Sequence, residues 1–238
     1  MPYSPAPMGT LNTDAVHAIT LDLDDTLWPI WPTIARAEAV LADWLGQHAP
    51  LTAALYASAE TRLALRAEVA QVRQDMAHDM SLMRREAIRL ALTRAGEDGA
   101  LAEPAFDVFF AERNRVELYE DALAALDHLA ARFPLVALSN GNADLERVGL
   151  ARYFRASVSA SSFGVGKPDA RIFQAGAAAA GVEAAQVLHV GDDALLDVLG
   201  AHAAGMQTAW VNRGEHPWTQ QVQPHVTVAS LRELCALL

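Results

Sequence analysis

The sequence predicts an α/β fold: a doubly wound parallel sheet of the Rossmann-like kind, interrupted by an inserted helical bundle. Three observations carry that prediction. Five short apolar runs each end at a polar residue or a turn signal, so they read as strands. Segments of helical periodicity separate most of these runs, which implies parallel pairing and a sheet covered on both faces. Between the first and second runs lies an interval far longer than one crossover helix requires, and something is inserted there.

The strands are expected at residues 18–21, 135–138, 156–159, 187–190 and 206–211. Helices are expected over 122–133, from 168 to near 181, and over 194–205. Pro168 opens one of them and Gly181 follows its end, which is the usual boundary chemistry. Within the interval 32–118 the composition shifts to Ala, Leu, Arg and Glu, with Ile34, Ala37, Leu41 and Leu45 at helical spacing. Further helices are expected over 51–72, 81–95 and 104–118. The resulting division is a core domain of residues 1–28 and 119–238 around a helical domain of residues 29–118. The Ala-rich stretch 175–180 is an ordinary helix former.

Composition narrows the function classes. A chain of 238 residues is long enough to bury roughly 70% of its unfolded surface. Its 52% hydrophobic and 20% charged residues fit a folded globular protein. The net charge of −11 comes without any Lys and Arg cluster, which argues against nucleic-acid binding. The single Cys235 has no disulfide partner and reads as a small buried hydrophobe. Residues 1–10 are Pro-rich and lack an apolar run, a loose tail rather than a signal peptide. No apolar stretch reaches the ~18 residues of a membrane span. The default is a cytoplasmic enzyme or binding protein, expected as a monomer or weak homodimer.

In open parallel sheets, ligands bind beyond the carboxyl ends of the strands. Those ends carry Asp22-Leu23-Asp24-Asp25-Thr26, Ser139-Asn140-Gly141 and Gly191-Asp192-Asp193, while Lys167 precedes the helix expected at Pro168. Residues two apart in an extended chain point the same way, about 6–7 Å from each other. Asp22 and Asp24 can therefore act on one phosphorus atom, the first as nucleophile and the second as general acid to the leaving oxygen. Asp24 then serves as base toward the water that hydrolyses the aspartyl phosphate. A turn or capping cluster would use the same residue types. A calcium loop fails on spacing, because its sixth position is Leu27 instead of Gly and its twelfth is Thr33 instead of Glu.

Asp192, Asp193 and Asp197 would face Asp22 if the first and fourth strands are neighbours. Carboxylates that converge in this way repel unless a cation is present, and Mg2+ suits an all-oxygen site. Asp22 and Asp192 are assigned as direct ligands with the backbone carbonyl of Asp24. Asp193 and Asp197 are expected to orient ligands or waters, with a solvated helix residue as the alternative for Asp197. Ser139 and Asn140 are expected to donate to phosphate oxygens, Thr26 to add a hydroxyl or backbone donor, and Lys167 to neutralise the charge around the nucleophile. A P-loop is excluded by Pro168 and Ser161 at required Ser/Thr and Gly positions, and a nucleophile elbow by Ala137.

The four motifs, in order, resemble the haloacid dehalogenase superfamily of phosphohydrolases, in the subgroup with a helical cap inserted after the first strand. The resemblance implies Asp22 as nucleophile, Asp24 as acid and base, Ser139 and Lys167 as phosphate stabilisers, and Asp192 as a magnesium ligand. The superfamily includes true dehalogenases, which do not keep the acidic residue that Asp24 supplies here. More narrowly, Ser139-Asn140-Gly141-Asn142, the run 188–193, and Gly205-Met206-Gln207 through Trp210 are similar to bacterial phosphatases acting on FMN and on the phosphorylated ribitylaminouracil precursor of riboflavin. In such enzymes the cap closes over the pocket, and Trp28, Trp31, His78, Arg84 and Arg85 are candidates for contacting a leaving group. Dehalogenase, phosphomutase and non-catalytic binding protein remain the competing classes.

Overall fold

The computed structural model describes residues 10–214 and 216–238; all but Thr10 of the tail expected at residues 1–10 lies outside them. In chain order the elements are β1 (Ala18–Leu21), α1 (Ile30–His48), α2 (Pro50–Tyr56), α3 (Ala59–Val72), α4 (Met80–Ala95), α5 (Ala102–Arg113), α6 (Ala122–Ala130), β2 (Leu135–Ser139), α7 (Leu145–Val148), β3 (Ala156–Ser159), α8 (Ala160–Phe163), α9 (Ala170–Ala180), β4 (Val187–Gly191), a π-helical stretch (Ala194–Leu199), α10 (Gly200–Ala203), β5 (Gln207–Val211), β6 (Val226–Val228) and α11 (Leu231–Leu237). The sheet is parallel throughout, in the order β3-β2-β1-β4-β5-β6. It is the doubly wound α/β fold that alternating strands and helices imply.

Every residue of β1, β2, β4 and β5 is buried, whereas the edge strands β3 and β6 are partly exposed. Ile172, Phe173, Ala177 and Ala180 of α9 pack with Ala18, Val136, Leu138 and Val187 of the strands. Gly176 permits that approach, since a Cβ there would stand 3.1 Å from Thr20 Cγ2. The chain order places a switch point at β1. The chain moves from β1 to β2 and β3 on one side, then returns to β4 on the other, which leaves a crevice at the carboxyl ends of β1 and β4.

The chain forms two compact units, one of residues 1–29, 118–141 and 149–238, the other of residues 30–117 and 142–148. In the helical unit, Ala37, Leu41 and Leu45 of α1 share a core with Ile88 and Leu92 of α4 and Phe106 and Phe109 of α5. Spacings of three and four residues bring those side chains onto one face of each helix. The short segment 142–148 belongs to this unit because its polar groups are tied there. Arg113 Nε donates to Asn142 Oδ1 at 2.9 Å, Asn142 Nδ2 to Ser81 Oγ at 3.1 Å, and Asp144 N to Asn114 Oδ1 at 2.8 Å.

Several boundaries differ from the sequence expectation for local reasons. The stretch 51–72 is two helices, because Ser58 N-caps the second by accepting from Thr61 N. The helix expected from Pro168 begins at Ala170, where Asp169 accepts from Arg171 N at 2.9 Å. The stretch after β4 opens as a π-helix, with the Asp193 carbonyl accepting from both Asp197 N and Val198 N. Three-residue β6 is too short for a period and is defined by its pairing with β5. Cys235 is free and half-buried. Among the described residues, no helix is long and apolar enough to cross a membrane.

Candidate active site

The β1–β4 crevice gathers the acidic residues. Asp22 N donates to Val190 O at 2.9 Å, which continues the β1–β4 ladder one residue past the strand. Asp22, Asp192 and Asp197 then bring carboxylate oxygens within 4.8 Å of one another. Lys167 enters this group with its Nζ 2.5 Å from Asp22 Oδ1 and 2.6 Å from Asp197 Oδ1, and its side chain is 3% exposed. Asp197 also meets His189 Nε2 at 3.0 Å through Oδ1 and accepts from Asp193 N at 2.9 Å through Oδ2. Gly191 makes room for it, since a Cβ at that position would stand 2.7 Å from Asp197 Cβ and nearer still to its Cγ.

The charges explain how these groups titrate. Burial, then the neighbouring Asp197 and Asp192 charges, push the Asp22 carboxyl well above its ordinary value, against the pull of Lys167. Asp197 goes the other way: burial would raise it, but Lys167 and the His189 hydrogen bond hold it well below the usual carboxylate range. The difference follows from their donors, because Asp197 accepts three hydrogen bonds where Asp22 faces two other carboxylates. Burial and the charges of Asp197 and Asp25 push Asp192 up to about 7. Lys167 is raised, since its two carboxylates outweigh the burial that opposes its charge. A cation between these two buried carboxylates would relieve the repulsion that keeps them from ionising side by side. The all-oxygen donor set fits a hard one. Asp197 has its oxygens committed to Lys167, His189 and Asp193, so Asp22 and Asp192 are the side chains best placed to hold it.

The remaining sequence-predicted residues have specific partners. Asp24 Oδ1 accepts from Trp28 Nε1 at 2.8 Å, and that indole is fully buried, so Trp28 is committed to Asp24 rather than turned toward a ligand. Thr26 Oγ1 donates to Asp192 Oδ1 at 3.1 Å, so its hydroxyl braces that carboxylate. Asn140 was expected on phosphate. Its amide instead clamps the Lys167 backbone, Nδ2 donating to the carbonyl at 2.8 Å and Oδ1 accepting from the N–H at 2.7 Å. Ser139 Oγ accepts from Gly141 N at 2.9 Å, which leaves its own proton to give. Exposed Asp193 caps the following helix by accepting from Leu195 N and Leu196 N.

In the helical unit, Arg84 pairs with Glu38 and lies 3.8 Å over the Phe109 ring. Arg85 pairs with Glu103 at 2.9 Å and lies 4.4 Å over the Phe106 ring. Both guanidiniums thus brace helices. Trp31 is exposed and His78 half-buried.

Five residues were missed: Thr20, His189, Trp210, Arg213 and Asp121. His189 bridges Thr20 and Asp197. Trp210 Nε1 donates to the Asp192 carbonyl at 2.6 Å. Arg213 Nη2 donates to the Thr26 carbonyl at 3.1 Å and pairs with Asp121 at 3.0 Å. The available signal was a polar residue inside an otherwise apolar strand, which applies to Thr20 and His189. Nothing local marks Asp121.

Comparison with known proteins identifies the family of the chain. Residues 16–205 match the family described as haloacid dehalogenase-like hydrolase. The chain is 32% identical over 231 residues to the 5-amino-6-(5-phospho-D-ribitylamino)uracil phosphatase of Escherichia coli, covering 94% of this chain and 96% of that one. It is 37% identical over 157 residues to the phosphoserine phosphatase of Thermus thermophilus, 63% of each chain. Among solved structures, one described as a 2-haloacid dehalogenase from Pseudomonas syringae pv. Tomato superposes with a TM-score of 0.88 at 35% identity, covering 93% of this chain and 97% of that one.

Proposed function

The chain belongs to the haloacid dehalogenase-like hydrolase family, and we propose that it is a phosphatase that passes the phosphoryl group of a small monoester to Asp22 and then to water. The observation that carries this reading is the meeting of Asp22, Asp192 and Lys167 at the switch point, with Asp24 two residues beyond the nucleophile. An Asp22 oxygen attacks phosphorus as the bond to the leaving oxygen breaks, and Asp24 gives that oxygen its proton. The Asp24 carboxylate then takes a proton from the water that attacks phosphorus. The bond to Asp22 breaks, and phosphate leaves. Trp28 holds Asp24 for both steps through its indole N–H. Lys167 and the Ser139 hydroxyl offset charge on the transferring group.

Asp22 and Asp192, with the Asp24 carbonyl, would hold Mg2+. Bound there, the ion would supply the positive charge that lets two carboxylates and a phosphate share one pocket.

A second reading, carbon–halogen hydrolysis on the same aspartate, is favoured by the described activity of the Pseudomonas syringae structure. Asp24 weighs against it, because an alkoxide leaving group needs a proton and a halide does not. For the substrate, the full-length similarity to the Escherichia coli enzyme supports phosphoribitylaminouracil, with FMN as the related alternative. Action by a cytoplasmic monomer or weak homodimer fits this reading. The test is release of phosphate and of halide by wild type and Asp22→Asn with Mg2+ present. Phosphate release that disappears in the variant is expected; halide release, or full phosphatase activity in the variant, overturns the assignment.

A further inference from the structure

β4 is apolar at Val187, Leu188 and Val190, yet its central residue is His189, which is 1% exposed. Placing an imidazole in a strand buried on both faces is costly unless both ring nitrogens are satisfied. Both are. Nδ1 lies 2.8 Å from Thr20 Oγ1 on the adjacent strand β1, and Nε2 lies 3.0 Å from Asp197 Oδ1. The Phe173 ring meets the imidazole edge-on, with centroids 5.0 Å apart, and fixes its plane. Burial lowers the His189 pKa, which favours the neutral ring.

A neutral imidazole has one donor and one acceptor nitrogen. The Asp197 carboxylate only accepts, so Nε2 carries the proton and Nδ1 accepts from the Thr20 hydroxyl. The alternative acceptor for that hydroxyl, Met206 Sδ at 4.0 Å, is a weaker one. A directed chain results: Thr20 donates to His189, His189 to Asp197, and Lys167 is held between Asp197 and Asp22. The same Asp197 oxygen takes both His189 and Lys167, while its other oxygen takes Asp193 N.

We infer that His189 is a positioning residue for the reaction: by giving its Nε2 proton to Asp197, it fixes the carboxylate that aims the Lys167 ammonium at Asp22. The inference rests on the reading of Asp22 as nucleophile. It assigns the strand position a task that packing alone would give to an aliphatic side chain. Deletion of such an outer partner costs roughly 10–100-fold in activity at sites of this kind.

The experiment compares His189→Leu, His189→Gln and Thr20→Val with wild type, using the full chain, Mg2+ and p-nitrophenyl phosphate, and pairs the kinetics with the imidazole 15N spectrum of wild type. Gln can present an N–H near the Nε2 position, whereas Leu fills the space without one. His189→Leu is expected to lose roughly 10–100-fold in kcat with KM little changed. His189→Gln should recover most of that loss, and Thr20→Val, which frees the tautomer, should fall between. The spectrum should show a protonated Nε2 and a bare Nδ1. A protonated Nδ1, a Gln variant as impaired as the Leu variant at equal thermal stability, or a Leu variant with wild-type kcat overturns the inference. If His189→Leu does not fold, the Gln and Val variants and the spectrum still decide. If wild type releases no phosphate, the functional reading fails instead, and the tautomer separately decides whether His189 donates to Asp197.

Discussion

Replacing Lys167 with Met keeps most of the side-chain stem and removes the charge at the centre of the site. In the native protein the ammonium is 3% exposed and lies 2.5 Å from Asp22 and 2.6 Å from Asp197. Removing one member of a buried ion pair costs about 3–5 kcal/mol, because the partner is left charged and uncompensated. Two carboxylates lose their partner here, which places the cost at the upper end, about 5 kcal/mol. At ~2–4 °C per kcal/mol for a chain of this size, the melting temperature should fall by roughly 10–20 °C. The pH dependence identifies the cause. In wild type, Asp197 is held below its ordinary 3.8, so its ionised form contributes stability above that value and loses it as pH falls through the lowered one. Without Lys167 the largest pull that lowers both acids is gone, so both should shift upward from their wild-type values and the variant should lose stability as pH rises. Melting curves without divalent cations at about pH 5 and about pH 8 should show a deficit that is much larger at the higher pH. Adding Asp197→Asn to Lys167→Met should return part of the loss. A deficit equal at both pH values, or a change below about 2 °C, would refute the reasoning.

Three further outcomes follow from the same geometry. Because burial and the neighbouring acids raise Asp192 to about 7, its proton competes with Mg2+. The Mg2+ concentration giving half-maximal thermal stabilisation should rise up to about tenfold per unit as pH drops below 7 and level off above it; a midpoint indifferent to pH contradicts the assignment. The sign for the metal-free protein agrees, since a raised acid contributes stability at low pH and loses it as pH climbs through 7. Gly191→Ala would drive a methyl into Asp197 and should cost roughly 1–3 kcal/mol together with most of kcat, measurable by melting and turnover, whereas a neutral Ala would show that the carboxylate can move aside. Trp210→Phe removes the donor to the Asp192 carbonyl and should raise the Mg2+ requirement about tenfold while leaving the substrate KM unchanged; an unaltered metal titration would dismiss Trp210 as a brace.

The strands were readable because β1, β2 and β4 are mostly apolar, β5 ends in the apolar run Ala209-Trp210-Val211, and each is followed by a polar residue or a turn. Position along the chain was therefore enough to collect Asp22, Ser139 and Asp192 at one end of the sheet. Partner choice was not readable, because it depends on how each loop leaves its strand. Asp25 adopts a left-handed backbone, φ 59°, which turns the chain so that Asp25 N donates to Trp28 O and Trp28 reaches Asp24. No periodicity announces that turn. Thr26 and Asn140 illustrate the same limit: each has a donor suited to phosphate, yet each is used to hold a charged neighbour. His189 was hidden for a different reason, since its meaning arises only when β1 supplies Thr20 and the π-helical stretch supplies Asp197. The segment 142–148 follows β2 in sequence but is tied to the helical unit through Asn114 and Arg113, contacts 30 and 29 residues apart in the chain that no local pattern reveals.

The most direct measurement of the central claim is acid quenching of the enzyme during turnover of a 32P-labelled monoester with Mg2+, followed by counting of protein-bound label and peptide mapping. The account predicts hydroxylamine-sensitive label on the peptide containing Asp22, more of it in Asp24→Asn because the water step is slowed, and none in Asp22→Asn. Rapid phosphate release with no label on the protein, or label that persists in Asp22→Asn, would contradict it.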